Sequence, residues 1–590
     1  MHQQQLCHHA LAPARPFRTL HPRPPRLQLI RTHRLFLFRS IGDSISLAAR
    51  VQLTSCCSHA AHASARSPSS PPQVTMKLAI QGCSHGELDA IYASVLRIER
   101  ERSIHIDALL LCGDFQAVRN PADLHALSVP PKYRQLGEFH AYYAGHKLAP
   151  VLTLVIGGNH EASNYMHELY HGGWLAPNIY YLGAAGAVEL NGLLVAGISG
   201  IYKSQDYHKG RYERLPYDAG SLRSCYHTRE FDVLRLSALA ADKVDIVMSH
   251  DWPNTIEQWG DTQTLIRKKP FFEKEISTQS LGSPPLMQLL QQLKPAFWFS
   301  AHLHVKFAAI FPHGRTAAGT QEAQASENAN PEALDIDLDF DEDSAAADAA
   351  GVEDKPASVM DSASESGVTR FLALHKCLSH TPFLQVIEHA SPLDDELAAR
   401  KAAVNNEQRV MPRLRFSPRW LAITRAFHPH LSLSYRQAAL PDPAQPDFAA
   451  QIQAELRAVD EHLASLAPRA GKRKLDQQEA SDDPLDVFGV QRFVRTAPAL
   501  HEPGGDATGQ PAWYTNPQTE QFCALAGIPN KINPRPYQQP PMPNLAPPPQ
   551  DWTDPNALAI DMDDFDSPEA DDVLRLDDDE SQTRWKEGTG

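Results

Sequence analysis

Five short stretches carry side chains able to bind a metal or move a proton, and each directly follows an apolar run. They are Cys83-Ser84-His85-Gly86, Gly113-Asp114, Gly157-Gly158-Asn159-His160-Glu161, Ser249-His250-Asp251 and Ala301-His302-Leu303-His304. Taken singly each is ordinary, since a histidine after a strand commonly caps a loop and Gly-Asp or Gly-Asn pairs make turns. Taken in order, they supply thiol, imidazole, carboxylate and carboxamide donors, the set from which transition-metal sites are built. Open sheets present ligands at the carboxyl ends of their strands, so five such ends can bring these groups together.

The elements that must position them are legible as short apolar strands alternating with helices. KLAIQG, ALLLCG, VLTLVIGG, LLVAGISG, DIVMSH and FWFSAH read as strands, and Leu88, Ile91, Tyr92 and Val95 fall at helical spacing after the first. Near-continuous apolar strands with helices between them imply a sheet core covered on both faces. Residues 315–366 hold 14 acidic residues among Ala and Ser and cannot build a core. Order is expected again at VTRFLALHKC (368–377), FLQVIEHA (383–390) and RWLAITRAF (419–427), all read as strands. Ile452, Leu456, Val459 and Leu463 mark one amphipathic helix. Beyond about 468 the chain is Pro-rich or acidic and reads as disordered, apart from an island at 516–534 that can dock on the body.

The net charge of −15 over 590 residues is unevenly spread. Besides 315–366, the stretch 551–590 holds 14 acidic residues, whereas the first 75 residues carry nine Arg and one Asp. The middle is therefore near neutral, and any nucleic-acid site must be a local patch. Residues 1–75 have the Arg-rich, acid-poor composition of a transit peptide; Met76, opening MKLAIQG, is the expected start of the folded part. The eight cysteines are scattered, which argues against a disulfide framework and for a reducing compartment. No apolar run reaches the eighteen or so residues of a membrane helix, so no membrane partner is expected. The domains expected are an extension (1–75), a catalytic domain (76–313), an acidic insertion (314–367), a C-terminal domain (368–467) and a tail (468–590).

The five motifs resemble those of the calcineurin-like metallophosphoesterases, whose pattern runs D-x-H, GD, GNH[DE], H, H-x-H. The resemblance implies an α/β fold: a two-sheet β sandwich flanked by helices, here with a smaller C-terminal α+β domain and disordered tails. It also implies two divalent metals. One would take Cys83, His85, Asp114 and His304; the other would take Asp114, Asn159, His250 and His302. Metals about 3.5–4 Å apart need a ligand that offers both oxygens, as Asp114 can. Cys83 departs from the usual Asp of that superfamily; a softer thiolate biases its pocket towards Zn²⁺ or Fe²⁺, with Mn²⁺ also suited to the imidazoles. A thiol there is also open to oxidation. His160, next to a ligand, faces the centre without binding it and is placed to protonate a leaving oxygen as catalytic acid.

A longer run of matches narrows the family. IQGCSHGELDAIY, GDFQAVRN, VPPKYRQLGEFHAYYAG, GGNHEASNYM, HGGWLAPNIYYLG, GISGIYKSQDY, SHDWP, LGSPPLMQLL and FWFSAHLHVKF resemble the lariat debranching enzymes, as do FLALHKC, FLQVIE and WLAITRAF. His375 departs from the Asp expected in FLALDKC. The resemblance implies hydrolysis of the 2′–5′ branch phosphodiester of intron-lariat RNA, nuclear residence, and splicing-related proteins as partners. The segment 199–229 interleaves Tyr202, Tyr207, Tyr212, Tyr217 and Tyr226 with Lys203, Lys209, Arg211, Arg214, Arg223 and Arg229, as stacking bases and neutralising phosphates requires. Tyr202 and Lys203, closest to a strand end, are the expected substrate contacts. Gly471-Lys472-Arg473-Lys474 is a short basic cluster of the kind used in nuclear import. Two alternatives stand beside this reading. A phosphoprotein phosphatase would carry GD-x-x-DRG, and this chain has GDFQAV. A catalytically retired RNA-binding scaffold would have lost ligands, and here every ligand position keeps a competent side chain.

Overall fold

The computed structural model describes residues 75–129, 131–314, 367–402, 409–466 and 483–535. The N-terminal extension, most of the acidic insertion, the basic cluster at 471–474 and the acidic tail lie outside the described residues.

Thirteen strands are found among the described residues: β1 Met76–Gln81, β2 Ala108–Leu111, β3 Leu152–Val155, β4 Gly173–Ala176, β5 Ile179–Tyr181, β6 Ala185–Leu190, β7 Leu193–Ile198, β8 Ile246–Ser249, β9 Phe297–Ser300, β10 Phe307–Pro312, β11 Val368–Ala373, β12 Leu384–His389 and β13 Leu414–Phe416. They form a six-stranded sheet ordered β12-β1-β2-β3-β5-β4 and a seven-stranded sheet ordered β10-β11-β9-β8-β7-β6-β13.

Side-chain parity explains the layering. Along β1, β2 and β3, Leu78, Ile80, Ala108, Leu110, Leu152 and Leu154 point to the other sheet, where they meet Val195, Ile246, Met248 and Phe299. The alternate residues Ala79, Leu109, Leu111 and Val155 point outward, under helix Leu88–Arg102 and its Leu88, Ile91, Tyr92 and Val95. On the second sheet Ala196, Ile198, Val247 and Trp298 pack outward beneath helices Glu230–Ser237 and Pro284–Leu293. Period-two alternation therefore serves two apolar interfaces, and the strands read as continuous apolar runs because neither face sees water. The result is a helix–sheet–sheet–helix sandwich, as the sequence resemblance implied.

The C-terminal α+β region does not stand apart. β12 pairs antiparallel with β1, β11 inserts between β10 and β9, and β13 closes on β6. Strands far along the chain thus complete both sheets of the catalytic body.

One expected strand is overturned. RWLAITRAF, read as a strand, is the helix Pro418–Phe427. Its start is signalled locally: the Ser417 hydroxyl accepts from Trp420 N at 3.3 Å and Pro418 occupies the first turn. Trp420, Ile423, Ala426 and Phe427 join the outer core, while Leu421 and Ala422 join the core between the sheets. Burial on nearly every side erased the 3.6-residue periodicity that would have revealed a helix. The helix Pro446–Leu466 matches its expected pattern, with Ile452, Val459 and Leu463 buried.

The described C-terminal stretch begins at 483, well before the 516–534 island read from sequence. Within it, Thr496 donates to Glu168, Tyr143 donates to Ala497 O, and Gln518 accepts from Trp174 N. Hydrogen bonds of this kind to the body are why a Pro-rich, low-periodicity segment holds a defined place.

Candidate metal centre

β1, β2 and β3 run parallel, as do β7, β8 and β9. All five motifs therefore leave their sheets at carboxyl ends. The donor atoms of Cys83, His85, Asp114 and His304 lie within 4.8 Å of one another, and so do those of Asp114, His250 and His302. Asp114 belongs to both groups. Its Oδ1 is 3.3 Å from His250 Nε2 and its Oδ2 is 3.7 Å from His85 Nε2. Asn159 joins the second group, with Oδ1 3.2 Å from His250 Nε2.

The backbone is bent to achieve this. His85, Asp114, His302 and His304 all have positive φ, at 49°, 45°, 62° and 48°. Non-glycine residues held in the left-handed region are uncommon and gather where structure serves a site. Glycines make room behind them. A Cβ on Gly113 would lie 2.3 Å from His250 Nδ1, and one on Gly158 would lie 2.2 Å from Asp114 Oδ1. No larger side chain fits at either position without pushing a donor away.

Hydrogen bonds fix how the donors point. His250 Nδ1 donates to Cys112 O at 2.8 Å, leaving Nε2 with its lone pair turned to the centre. Gln116 Nε2 sits 3.4 Å from His85 Nδ1. The His85 and His304 Nε2 atoms face each other at 3.1 Å. Burial holds the His85, His302 and His304 imidazoles down at about 4, 3 and 2, so all three are neutral near pH 7 and have lone pairs to give. Asp114 stays well below the usual carboxylate range: burial opposes ionisation, but the adjoining His250 and His160 outweigh it. Burial, then the Asp114 charge, push the Cys83 thiol up, so a thiolate there needs a cation for company. Converging neutral imidazoles, a shared carboxylate and an enclosed thiol fit divalent metal ions, and fit nothing else as well.

His160 is placed as its motif position suggested, beside the cluster and outside both groups. Its backbone N donates to Asp114 Oδ1 at 2.9 Å, and its ring stands edge-on to His85 at 5.3 Å between centroids. Tyr202 reaches the centre through its backbone, whose N donates at 3.1 Å to the carboxylate of Asp251, the neighbour of His250. Its ring packs against Tyr207. Lys203 is exposed, and its charge is felt by His302.

Much of the remaining 199–229 segment turns inward. Arg211 pairs with Asp232 at 2.7 Å, Arg229 pairs with Glu213, and Tyr217 is buried. These side chains hold the fold, which leaves only the few that face out free to meet phosphates and bases.

Two contributors carried no role in the sequence reading. Glu161, fully enclosed, accepts from Gly158 N, Phe115 N and Gln116 N at 2.8–2.9 Å. It thereby ties the Asp114 loop to the Asn159 loop; burial raises its carboxyl to about 7 and the three N–H groups oppose that. Its place in the third motif was the available signal. The other is Lys376, whose charge reaches His85 and His304, and no local pattern flags it.

The chain is similar to known proteins over most of this body. Residues 76–306 match the model of the calcineurin-like phosphoesterases, and residues 366–531 match that of the lariat debranching enzyme C-terminal domain. The lariat debranching enzyme of Drosophila pseudoobscura pseudoobscura is 40% identical over 77% of this chain and 77% of its own length. That of Schizosaccharomyces pombe is 38% identical over 79% of this chain and 99% of its own, and that of Homo sapiens is 38% identical over 77% and 69%. With both halves of the fold matched and a metal-ready cluster between its sheets' carboxyl ends, this chain belongs to the lariat debranching enzyme family.

Proposed function

We propose that this protein is a metal-dependent RNA phosphodiesterase that hydrolyses the 2′–5′ branch bond of excised intron lariats and yields linear introns. The observation that carries the reading is Asp114, whose two oxygens face two separate donor groups. Cys83, His85, Asp114 and His304 would hold one divalent ion; Asp114, Asn159, His250 and His302 would hold the other. Zn²⁺, Fe²⁺ and Mn²⁺ suit this donor set, with Cys83 favouring the softer two. When bound, such ions supply Lewis-acid stabilisation of phosphate charge and a nucleophile near neutral pH.

The protein's own groups do the rest. His160 donates a proton to the departing ribose oxygen, a poor leaving group as an alkoxide. Glu161 and the two glycines hold the Asp114 and Asn159 loops at fixed separation, which keeps the reacting phosphate in line. Lys203 and the face of Tyr202 meet RNA beside the cluster. Because lariats are products of splicing, residence in the nucleus among splicing-related proteins belongs to this reading. Among the described residues no helix is long and apolar enough to cross a membrane.

The test offers the full chain a synthetic branched RNA and its linear 3′–5′ counterpart, with Fe²⁺, Zn²⁺ or Mn²⁺. Cleavage confined to the 2′–5′ bond and abolished by a chelator is the expected result. A folded, metal-loaded protein that cuts neither RNA would overturn the assignment.

A further inference from the structure

The strand-end arrangement extends to a strand outside the metal motifs. β11 runs parallel to β9, with Ala373 opposite Ser300. Residues after Ala373 therefore leave the sheet at the same edge as His302 and His304. They are pinned there: Cys377 N donates to Cys83 O at 3.0 Å, and His375 N donates to Pro382 O at 3.2 Å. The His375 ring stands 6.2 Å from that of His304, and Lys376 follows directly, half-buried.

A second cation comes to this edge from another part of the chain: β10 pairs antiparallel with β11 and Gly260 bridges antiparallel to Ala309 of β10, so the segment after Gly260 heads towards the edge where β11 ends. Lys269, also half-buried, lies between helices Thr262–Lys268 and Phe272–Ser277. Burial, and then the Lys376 charge, hold the Lys269 ammonium below the usual lysine range. Among the described residues neither lysine has a carboxylate partner. Two partly desolvated like charges repel, and an anion between them relieves that repulsion. Phe271 stands beside Lys269, 68% exposed, with its ring 5.8 Å from Lys269 Nζ. Its edge-on neighbour Phe272 is buried and steadies it. Cations without carboxylates next to an exposed aromatic ring suit single-stranded nucleic acid, which offers phosphates and a π-face together.

We propose that Lys269, Lys376 and Phe271 form a docking site for a single-stranded RNA arm of the branched substrate at the edge of the metal cluster. The two ammonium groups meet backbone phosphates, and the Phe271 ring takes a base. The inference rests on the RNA-phosphodiesterase reading and adds where an arm of that RNA goes. None of the three side chains touches the reacting bond, so all are positioning residues.

The test compares the metal-loaded full chain with its Phe271→Ala, Lys269→Gln and Lys376→Gln variants. Two probes are used: a linear single-stranded RNA of arm length, for Kd, and branched RNA with and without arms, for KM. Phe271→Ala is expected to weaken linear-RNA binding about fivefold or more. Each lysine change is expected to flatten the slope of log affinity against log salt by about 0.7, a readout that a merely structural role would not move. KM rises for armed substrate and much less for the trimmed branch. Phe271 and Lys269 lie outside the metal cluster, so their variants decide the matter even if Lys376→Gln loses metal. Unchanged Kd, KM and salt slope in a protein that cleaves branched RNA would overturn the docking site alone. Weakened binding in variants of a protein that cleaves nothing would sink the catalytic reading and leave the docking site standing. A wild-type chain that binds no RNA would overturn both.

Discussion

Two regions of this chain promise chemistry from their residue types, and the fold treats them differently. The strand-end motifs converge: seven donors from five strands meet within two groups that share Asp114. The basic and aromatic segment 199–229 largely disperses, with Arg211, Arg229 and Tyr217 drawn into the body. The difference lies in what sets direction. A residue one or two positions past a strand inherits its place from the sheet, whereas a loop side chain points wherever its partner lies. Asp232 and Glu213, not phosphate, claim the two arginines.

The sharpest test of convergence removes the shared donor. Asp114→Ala should empty both groups, with metal content by elemental analysis and turnover lost together; a variant that kept full metal would break the shared-ligand account. Next, His160→Ala should keep its metal and lose about 10²–10⁴ in rate. Normal turnover would remove His160 from the proton-transfer step. On the dispersed side, Arg211→Met should take from the buried Asp232 one of its two arginine partners, Arg235 remaining at 3.4 Å, and destabilise the fold by about 1–3 kcal/mol, read by denaturant unfolding. An Arg211 variant of native stability but weak RNA binding would show that this residue belongs with the substrate instead. Cys83→Asp should shift metal preference towards Mn²⁺ and lessen sensitivity to oxidants; an unchanged metal profile would mean that Cys83 is no ligand. The smallest effect is expected for Lys203→Ala: a few-fold loss of RNA affinity, a salt slope lower by about 0.7, and an unchanged Tm. A fallen Tm would move Lys203 to the structural group.

The two misreadings in the C-terminal half share a cause. Helix Pro418–Phe427 is buried between two cores, so its apolar residues lack the polar face by which helices are recognised. The 483–515 stretch lacks periodicity altogether and is held by hydrogen bonds to residues more than 300 positions earlier, such as Thr496 to Glu168 and Ala497 to Tyr143. In both cases the information resides in the partner, not in the segment.

What the sequence determined by itself is the chemistry and its order along the chain. Apolar runs set the principal strands of both sheets, because alternating side chains there had only apolar neighbours to meet. The motif ending each run set which donors arrive at the carboxyl edge. Only the tertiary structure decided that β12 and β13 complete sheets begun by residues more than two hundred positions earlier, and that β11 inserts between β9 and β10. It alone brought Lys376 and Lys269 to one edge of the sheet and turned Arg211 and Arg229 inward. The physical reason is that strand pairing and ion pairing are non-local: a strand's hydrogen-bonding edge and a guanidinium's charge specify the kind of partner needed, while its position is set by how the whole chain packs.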